Sequence, residues 1–440
     1  MAGFELYNHQ KLVLQYMTVF PQFALFMEQG TGKTLPTLCR LLDLYRAGAI
    51  QNALIVAPKS TMGAWERDME MFGSDADTLR SFITVVNYDM VWRRKKYDRE
   101  WDAIVLDESH FIKNHTSKRA AFLLKLALKS SYRYILTGTP IGNGRLEDIW
   151  SQFAFLHPRL NRGRVASEIL GTRTEFLERY CLLNQWWQPY KYINVAELQE
   201  IIDAHSYRVT KEECLDLPDK LPDEVWDVEL KEPKIYKELH EESTLLEHDL
   251  LAPNSLVRMA KLRQVCSGFL QLEDEILNLK CEKLNILKDF LENWDKKLVI
   301  FCNFRYSIEA VSKLLQKLKI EYVTLDGEQE DKNIWRRFQE DDSVQVIVCQ
   351  YQSAAQGVDL YAADTIIYYE PTLSSTILEQ SRDRIHRVGQ ASKCSYIHLI
   401  TKGTIERAIY KALQEYSDFS EKLFTEYMGQ YTRSYAGGHK

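Results

Sequence analysis

The chain has 440 residues, enough for two α/β domains that each bury a core. Hydrophobic residues make up 45% and charged residues 27%, which is ordinary for a globular enzyme and excludes a disordered or fibrous chain. The net charge of −6 excludes a globally basic nucleic-acid binder, so any such surface must be local. The eight cysteines form no CxxC pair and the ten histidines are dispersed, so no zinc site is expected. No apolar stretch is long enough to span a bilayer and no signal peptide opens the sequence. The expected compartment is cytoplasmic in a bacterial or phage-infected cell, or nuclear in a eukaryote.

Residues 5–17 read as an amphipathic helix, and Gln10 on it has an amide suited to an adenine edge. Residues 23–34, FALFMEQGTGKT, run from an apolar strand into a glycine-rich turn. Gly30, Thr31 and Gly32 would bring backbone N–H groups against phosphate, at the positive end of the helix that follows. Lys33 would reach the β- and γ-phosphates and Thr34 would sit on Mg2+. The full P-loop pattern has glycine where this chain has Met27.

Further buried strands are expected at 52–60 and 81–90, with Lys59, Ser60, Asn87 and Tyr88 at carboxyl ends where nucleic-acid backbone could be touched. The RRKK run at 93–96 reads as a solvated loop. At 101–110, WDAIVLDESH delivers Asp107 and Glu108 to a strand end. Asp107 fits the carboxylate on the Mg2+ side, and Glu108 the group that orients the attacking water. The strand in YRYILTGTPIGN (132–143) ends in Thr137 and Thr139, hydroxyls able to relay between the acidic pair and a second ligand.

Residues 144–222 are less regular. Trp186 and Trp187 read as packing an inserted helical element, with base stacking as the alternative. Prolines 218, 222 and 233 mark a linker. A second α/β half begins at 296–304, with a helix over 306–318 and strands at 321–327, 344–350 and 365–371. Gly357 and Asp359 follow one of these strands. Arg384 and Arg387 in EQSRDRIHRVGQ (379–390) are expected one helical turn apart on one face. Residues 404–427 read as one closing helix, and the terminal SYAGGHK as disordered.

Taken in order, LYNHQ, MEQGTGKT, IVAPKS, DESH, LTGTP, VIFCNF, QGVDL and QSRDRIHRVGQ resemble superfamily 2 helicases of the Swi/Snf type, over essentially the whole chain. The resemblance implies two RecA-like lobes with parallel sheets and helical insertions: lobe one at 1–150, insertions and linker at 151–292, lobe two at 293–403, and a C-terminal helix and tail at 404–440. It implies ATP and Mg2+ as cofactors, with Gln10, Gly30, Thr31, Gly32, Lys33, Thr34, Gly357 and Asp359 around the nucleotide. Arg384 and Arg387 would be arginine fingers, and Asn303 and Arg305 would join Lys59, Ser60, Asn87 and Tyr88 on DNA.

A finer likeness, to the annealing-helicase and fork-remodelling subgroup, rests on Phe176, Tyr180, Asn194, Leu198, Arg208, Lys211, Leu217 and Pro218. It implies an ATP-dependent duplex translocase that remodels branched DNA. Because the motifs fill the chain, no accessory zinc or chromatin-reading module is expected. SAAQGVDL departs from the family's AGGxGLNL, a point in favour of a strand-separating DNA or RNA helicase. A scaffold with a vestigial ATPase is the remaining alternative.

Overall fold

The computed structural model describes all residues except 1–3, 60, 143, 242–243, 246–249, 252–253, 274, 330, 332, 355–357, 421–422 and 429–440. Ser60, Gly357 and the SYAGGHK tail therefore lie outside the described residues. The chain divides into two compact units, Met1–Asp216 and Leu217–Lys440. That division falls inside the stretch expected to hold insertions and linker, because a strand at 206–209 completes the first sheet.

In the first unit, β1 (Gln22–Met27), β2 (Ala53–Ala57), β3 (Ile83–Asn87), β4 (Ala103–Asp107), β5 (Tyr132–Leu136) and β6 (Ser206–Val209) form one sheet. Its order is β6-β1-β5-β4-β2-β3 and every pairing is parallel. Near-continuous apolar strands such as AIVL in β4 are what a sheet covered on both faces requires. Leu25 and Met27 of β1 pack into the layer that holds the helix Thr34–Arg46. Ala24 and Phe26 pack into the opposite layer, with the helices Lys118–Ala127 and Ile149–Leu156.

In the second unit, β7 (Glu224–Val228), β8 (Leu298–Cys302), β9 (Tyr322–Leu325), β10 (Val346–Gln350), β11 (Thr365–Tyr368) and β12 (Ser395–Thr401) make a second sheet. Its order is β7-β12-β11-β8-β10-β9, again wholly parallel. Both units are thus RecA-like α/β lobes with parallel sheets, and helices and short hairpins are inserted between their strands. Among the described residues no helix is long and apolar enough to cross a membrane.

Four local expectations need correction. Residues 81–90 are not one strand: a helix runs to Phe82, β3 covers Ile83–Asn87, and Tyr88–Val91 is a helical turn capped by the Asn87 side chain. The helix carrying Gln380 and Ser381 ends at Arg382, so Arg384 and Arg387 share no helical face. Residues 404–427 do not form one helix, because Ile405–Gln414 stops before Tyr416, which takes φ +53°. Chain reversal there lets the Phe419 N–H reach the Leu373 carbonyl and buries Phe419 in the core.

Finally, Trp186 and Trp187 do not pack an insertion. They stand 73% and 72% exposed in the turn of a hairpin between the strands Cys181–Leu183 and Pro189–Tyr192. The Asn184 carboxamide oxygen accepts from the Trp186 and Gln188 N–H groups, which fixes a turn that directs both indoles outward.

The second unit holds a fully buried ion pair, Lys283 Nζ to Glu406 Oε1 at 2.6 Å. Lys283 also donates to the Tyr369 carbonyl, and Glu406 accepts from the Thr401 N–H. Removing one partner strands an uncompensated buried charge, which costs about 3–5 kcal/mol. Lys283→Met is expected to destabilise the protein by about that amount in urea titration, and adding Glu406→Leu should recover much of the loss. A single variant as stable as the wild type would mean the pair is solvated in solution.

Candidate active site

The Gly30 and Gly32 turn adopts φ +83° and +77°, and a Cβ on Gly32 would lie 2.3 Å from Gln10 Nε2. Only glycine takes this backbone cheaply at such close approach. Gln10 donates from Nε2 to the Gly32 carbonyl at 2.9 Å and accepts the Tyr7 N–H through Oε1. The amide expected to meet an adenine edge is here bonded at both ends to backbone, holding the shape of the loop. His9, which sequence reasoning passed over, meets the Thr31 carbonyl at 2.8 Å. Thr31 is buried, and its hydroxyl donates to the Glu28 carbonyl.

Lys33 Nζ is drawn into the loop, donating to the carbonyls of Met27 at 3.0 Å and Glu28 at 3.2 Å. Thr34 opens the helix Thr34–Arg46, whose start carries no side-chain cap. Its first N–H groups and dipole are left for an anion. This donor set fits a nucleoside triphosphate.

Asp107 and Glu108 are buried at the end of β4. Thr61 Oγ1 and Trp65 Nε1 both donate to Asp107 Oδ2, at 3.1 and 3.0 Å, and the Tyr88 hydroxyl donates to the Asp107 carbonyl at 2.8 Å. Burial and the neighbouring Glu108 charge push the Asp107 carboxyl up to about 6, against the pull of Trp65, Lys33 and Thr61. A divalent cation beside it would restore full ionisation. Glu108 takes φ +51°, a left-handed conformation that costs a non-glycine residue free energy. Burial raises its carboxyl, but His110, Lys33 and Thr137 outweigh that and hold it at about 2, ionised.

Thr137 Oγ1 lies 3.3 Å from Glu108 Oε2 and 3.1 Å from His110 Nδ1, and it accepts the Thr139 N–H. The hydroxyl relay expected at Thr137 is thus in contact with the acidic pair, whereas Thr139 contributes its backbone. Gln152, also unforeseen, ties the two motifs together. It accepts from Ser109 Oγ at 2.6 Å and donates to the Pro140 carbonyl. Thr61, Trp65 and Gln152 had no motif to mark them; His110 lay in view within DESH.

In the second unit Arg387 forms an ion pair with Asp359. Arg384 is 4% exposed, donates from Nε to the Gln380 carbonyl and from Nη1 to the Val358 carbonyl, and its own carbonyl accepts the Leu360 N–H. It secures the loop that carries Asp359 rather than projecting from it. Gln390 closes the motif by donating to the carbonyls of Tyr361, Ala363 and Ile385. Behind it Asp223, which sequence reasoning missed, joins Arg382 to the buried His398.

The expected DNA residues divide. Lys59 is exposed, and Arg305 is exposed while paired with Glu328 at 2.5 Å. Asn303 is half-buried, donating through Nδ2 to the Pro371 carbonyl, with its N–H on Glu370. Asn87 is spent as a helix cap. Tyr88 is a correction: it is fully buried against Phe111, so it acts behind Asp107 and offers no surface to nucleic acid.

Among the described residues no group of three His, Cys, Asp or Glu side chains could hold a metal ion. A cation shared between Thr34, Asp107 and phosphate needs no such group.

The SNF2-related domain model matches residues 80–277, and the helicase conserved C-terminal domain model matches residues 282–389. The chain is similar to an uncharacterized ATP-dependent helicase of Mycoplasma genitalium, 26% identical over 91% of this chain and 40% of that protein. It is likewise similar to the DNA annealing helicase and endonuclease ZRANB3 of Mus musculus, 26% identical over 88% of this chain and 37% of that protein. The chain spans less than half the length of either relative. Among solved structures it is similar to the Sulfolobus solfataricus SWI2/SNF2 ATPase core in complex with dsDNA, at 24% identity, TM-score 0.46, covering 97% of this chain and 93% of that one.

Proposed function

We propose that this chain, matched by the SNF2-related and helicase C-terminal domain models, is a Swi/Snf-type ATPase that translocates along double-stranded DNA and remodels branched DNA, by fork reversal, branch migration or annealing. The observation that carries this reading is the buried Asp107–Glu108 pair, wired through Thr137 and His110 and set in the same lobe as Lys33.

ATP with Mg2+ supplies the phosphoanhydride whose hydrolysis drives movement. Lys33 and the first N–H groups of the helix 34–46 would neutralise phosphate charge, and Thr34 and Asp107 would hold the cation. Glu108, ionised and fixed in direction, orients the attacking water. The resemblance gives Arg387 the part of an arginine finger; within its own lobe Arg384 holds the loop of its partner Asp359. Lys59, Asn303 and Arg305 remain the DNA contacts.

The annealing-helicase likeness supports the branched substrate. Asp359, the residue that favoured strand separation, pairs with Arg387 within its own lobe. A duplex tracker strips the third strand from a triplex without opening the duplex. Triplex displacement without strand displacement is the expected result, and the reverse pattern would return the reading to a strand-separating helicase.

A further inference from the structure

The hairpin at 181–192 carries none of the residues assigned above to hydrolysis, yet it is firmly mounted. Its base is fixed on every side. Phe176 and Tyr180 of the preceding helix Arg173–Tyr180 are buried, as is Leu198 of the following helix Val195–Ala204. The Tyr180 hydroxyl donates to Glu197 at 2.9 Å, the Tyr192 hydroxyl to Glu147 at 2.5 Å, and Asn194 Nδ2 to the Arg179 carbonyl at 2.7 Å. Four of the residues that carry the subgroup likeness, Phe176, Tyr180, Asn194 and Leu198, thus build this mount.

The tip is the opposite of its base. Trp186 and Trp187 are exposed, as is Tyr190 at 66%, so three large aromatic faces are spent on solvent. Trp187 holds φ +57°, where glycine or asparagine would sit at lower cost. The segment from Cys181 to Ile193 contains no acidic residue, and its one cation, Lys191, is exposed between Tyr190 and Tyr192. Gln185 and Gln188 flank the indoles with amides that both donate and accept. Exposed aromatic faces flanked by amides, on a segment with one exposed cation and no acidic residue, match a stacked nucleobase and a nearby phosphate.

We propose that this hairpin is a base-stacking element. Its indoles receive the unpaired or unstacked nucleobases at a DNA branch point, and Lys191 meets the adjoining phosphate. The element deepens the branched-DNA reading given above and rests on it. Stacking on the tip would offset part of the cost of each base unpaired at the branch point.

The test uses the whole chain with Trp186→Ala/Trp187→Ala, whose exposed positions leave the core intact. Stacking on an aromatic side chain is worth roughly tenfold in affinity per base. The variant is expected to keep linear-duplex-stimulated ATP hydrolysis within about twofold while its four-way-junction migration slows by roughly tenfold or more. Quenching of 2-aminopurine placed at the branch point of a fork should be lost as well. Trp186→Phe/Trp187→Phe, which keeps aromatic faces, should restore both readouts. Wild-type migration and quenching in the alanine variant would overturn the proposal and leave the hairpin to a protein partner. Wild-type protein that no DNA stimulates would instead overturn the branched-DNA reading itself.

Discussion

Glu108→Gln is expected to reduce ATP turnover by about a thousandfold while leaving ATP and DNA binding near wild type. The glutamine keeps the shape and the hydrogen bond to Thr137 but removes the charge that orients and polarises water. The carboxylate is held ionised by His110, Lys33 and Thr137 despite complete burial, and its backbone is held in a left-handed conformation at the same position. Structural investment of that kind in one side chain indicates a role in the transition state. Steady-state hydrolysis with and without duplex, beside equilibrium binding of a fluorescent ATP analogue, checks it. Near-normal turnover in the variant would remove Glu108 from the reaction.

Arg387→Ala is expected to lower DNA-stimulated turnover by about a thousandfold with little change in ATP affinity, the signature of a group that meets charge only in the transition state. Its partner Asp359 refines the expectation. The ion pair fixes the guanidinium's direction, so Asp359→Asn, which supplies the residue of the family pattern, should lower kcat far less than the loss of Arg387 itself. Arg384→Ala should behave differently again. Its guanidinium bonds backbone carbonyls at Gln380 and Val358, so its removal should lower thermal stability together with turnover. A large loss of ATP affinity in Arg387→Ala with turnover unchanged would place Arg387 in ground-state binding.

The sequence was legible where burial and chemistry coincide. Short apolar runs such as ALIVA and AIVLD read as strands covered on both faces, and Asp107 closes the second of them, so strand and site are read in one step. It was opaque where tertiary partners decide. SYRV becomes β6 because Met27 and the rest of β1 offer an open edge, a fact absent from four half-polar residues. The helix before Arg384 has no proline or glycine to stop it; it ends because Arg384 and His386 are drawn inward to the carbonyls of Val358 and Pro218.

Tyr88 stood next to residues placed for surface work, yet its ring fills the space over Phe111 and its hydroxyl serves Asp107. Trp186 and Trp187 were misjudged for the converse reason. Large apolar residues are normally buried, and a turn fixed by Asn184 overrides that tendency.

The central claim, ATP hydrolysis coupled to branched duplex DNA, is tested most directly by steady-state ATP hydrolysis at one fixed salt concentration. No nucleic acid, single strands, RNA, linear duplex and a four-way junction would be compared. The account predicts strong stimulation by linear duplex and stronger stimulation by the junction. Stimulation by single strands or RNA alone, with duplex and junction inert, would contradict it.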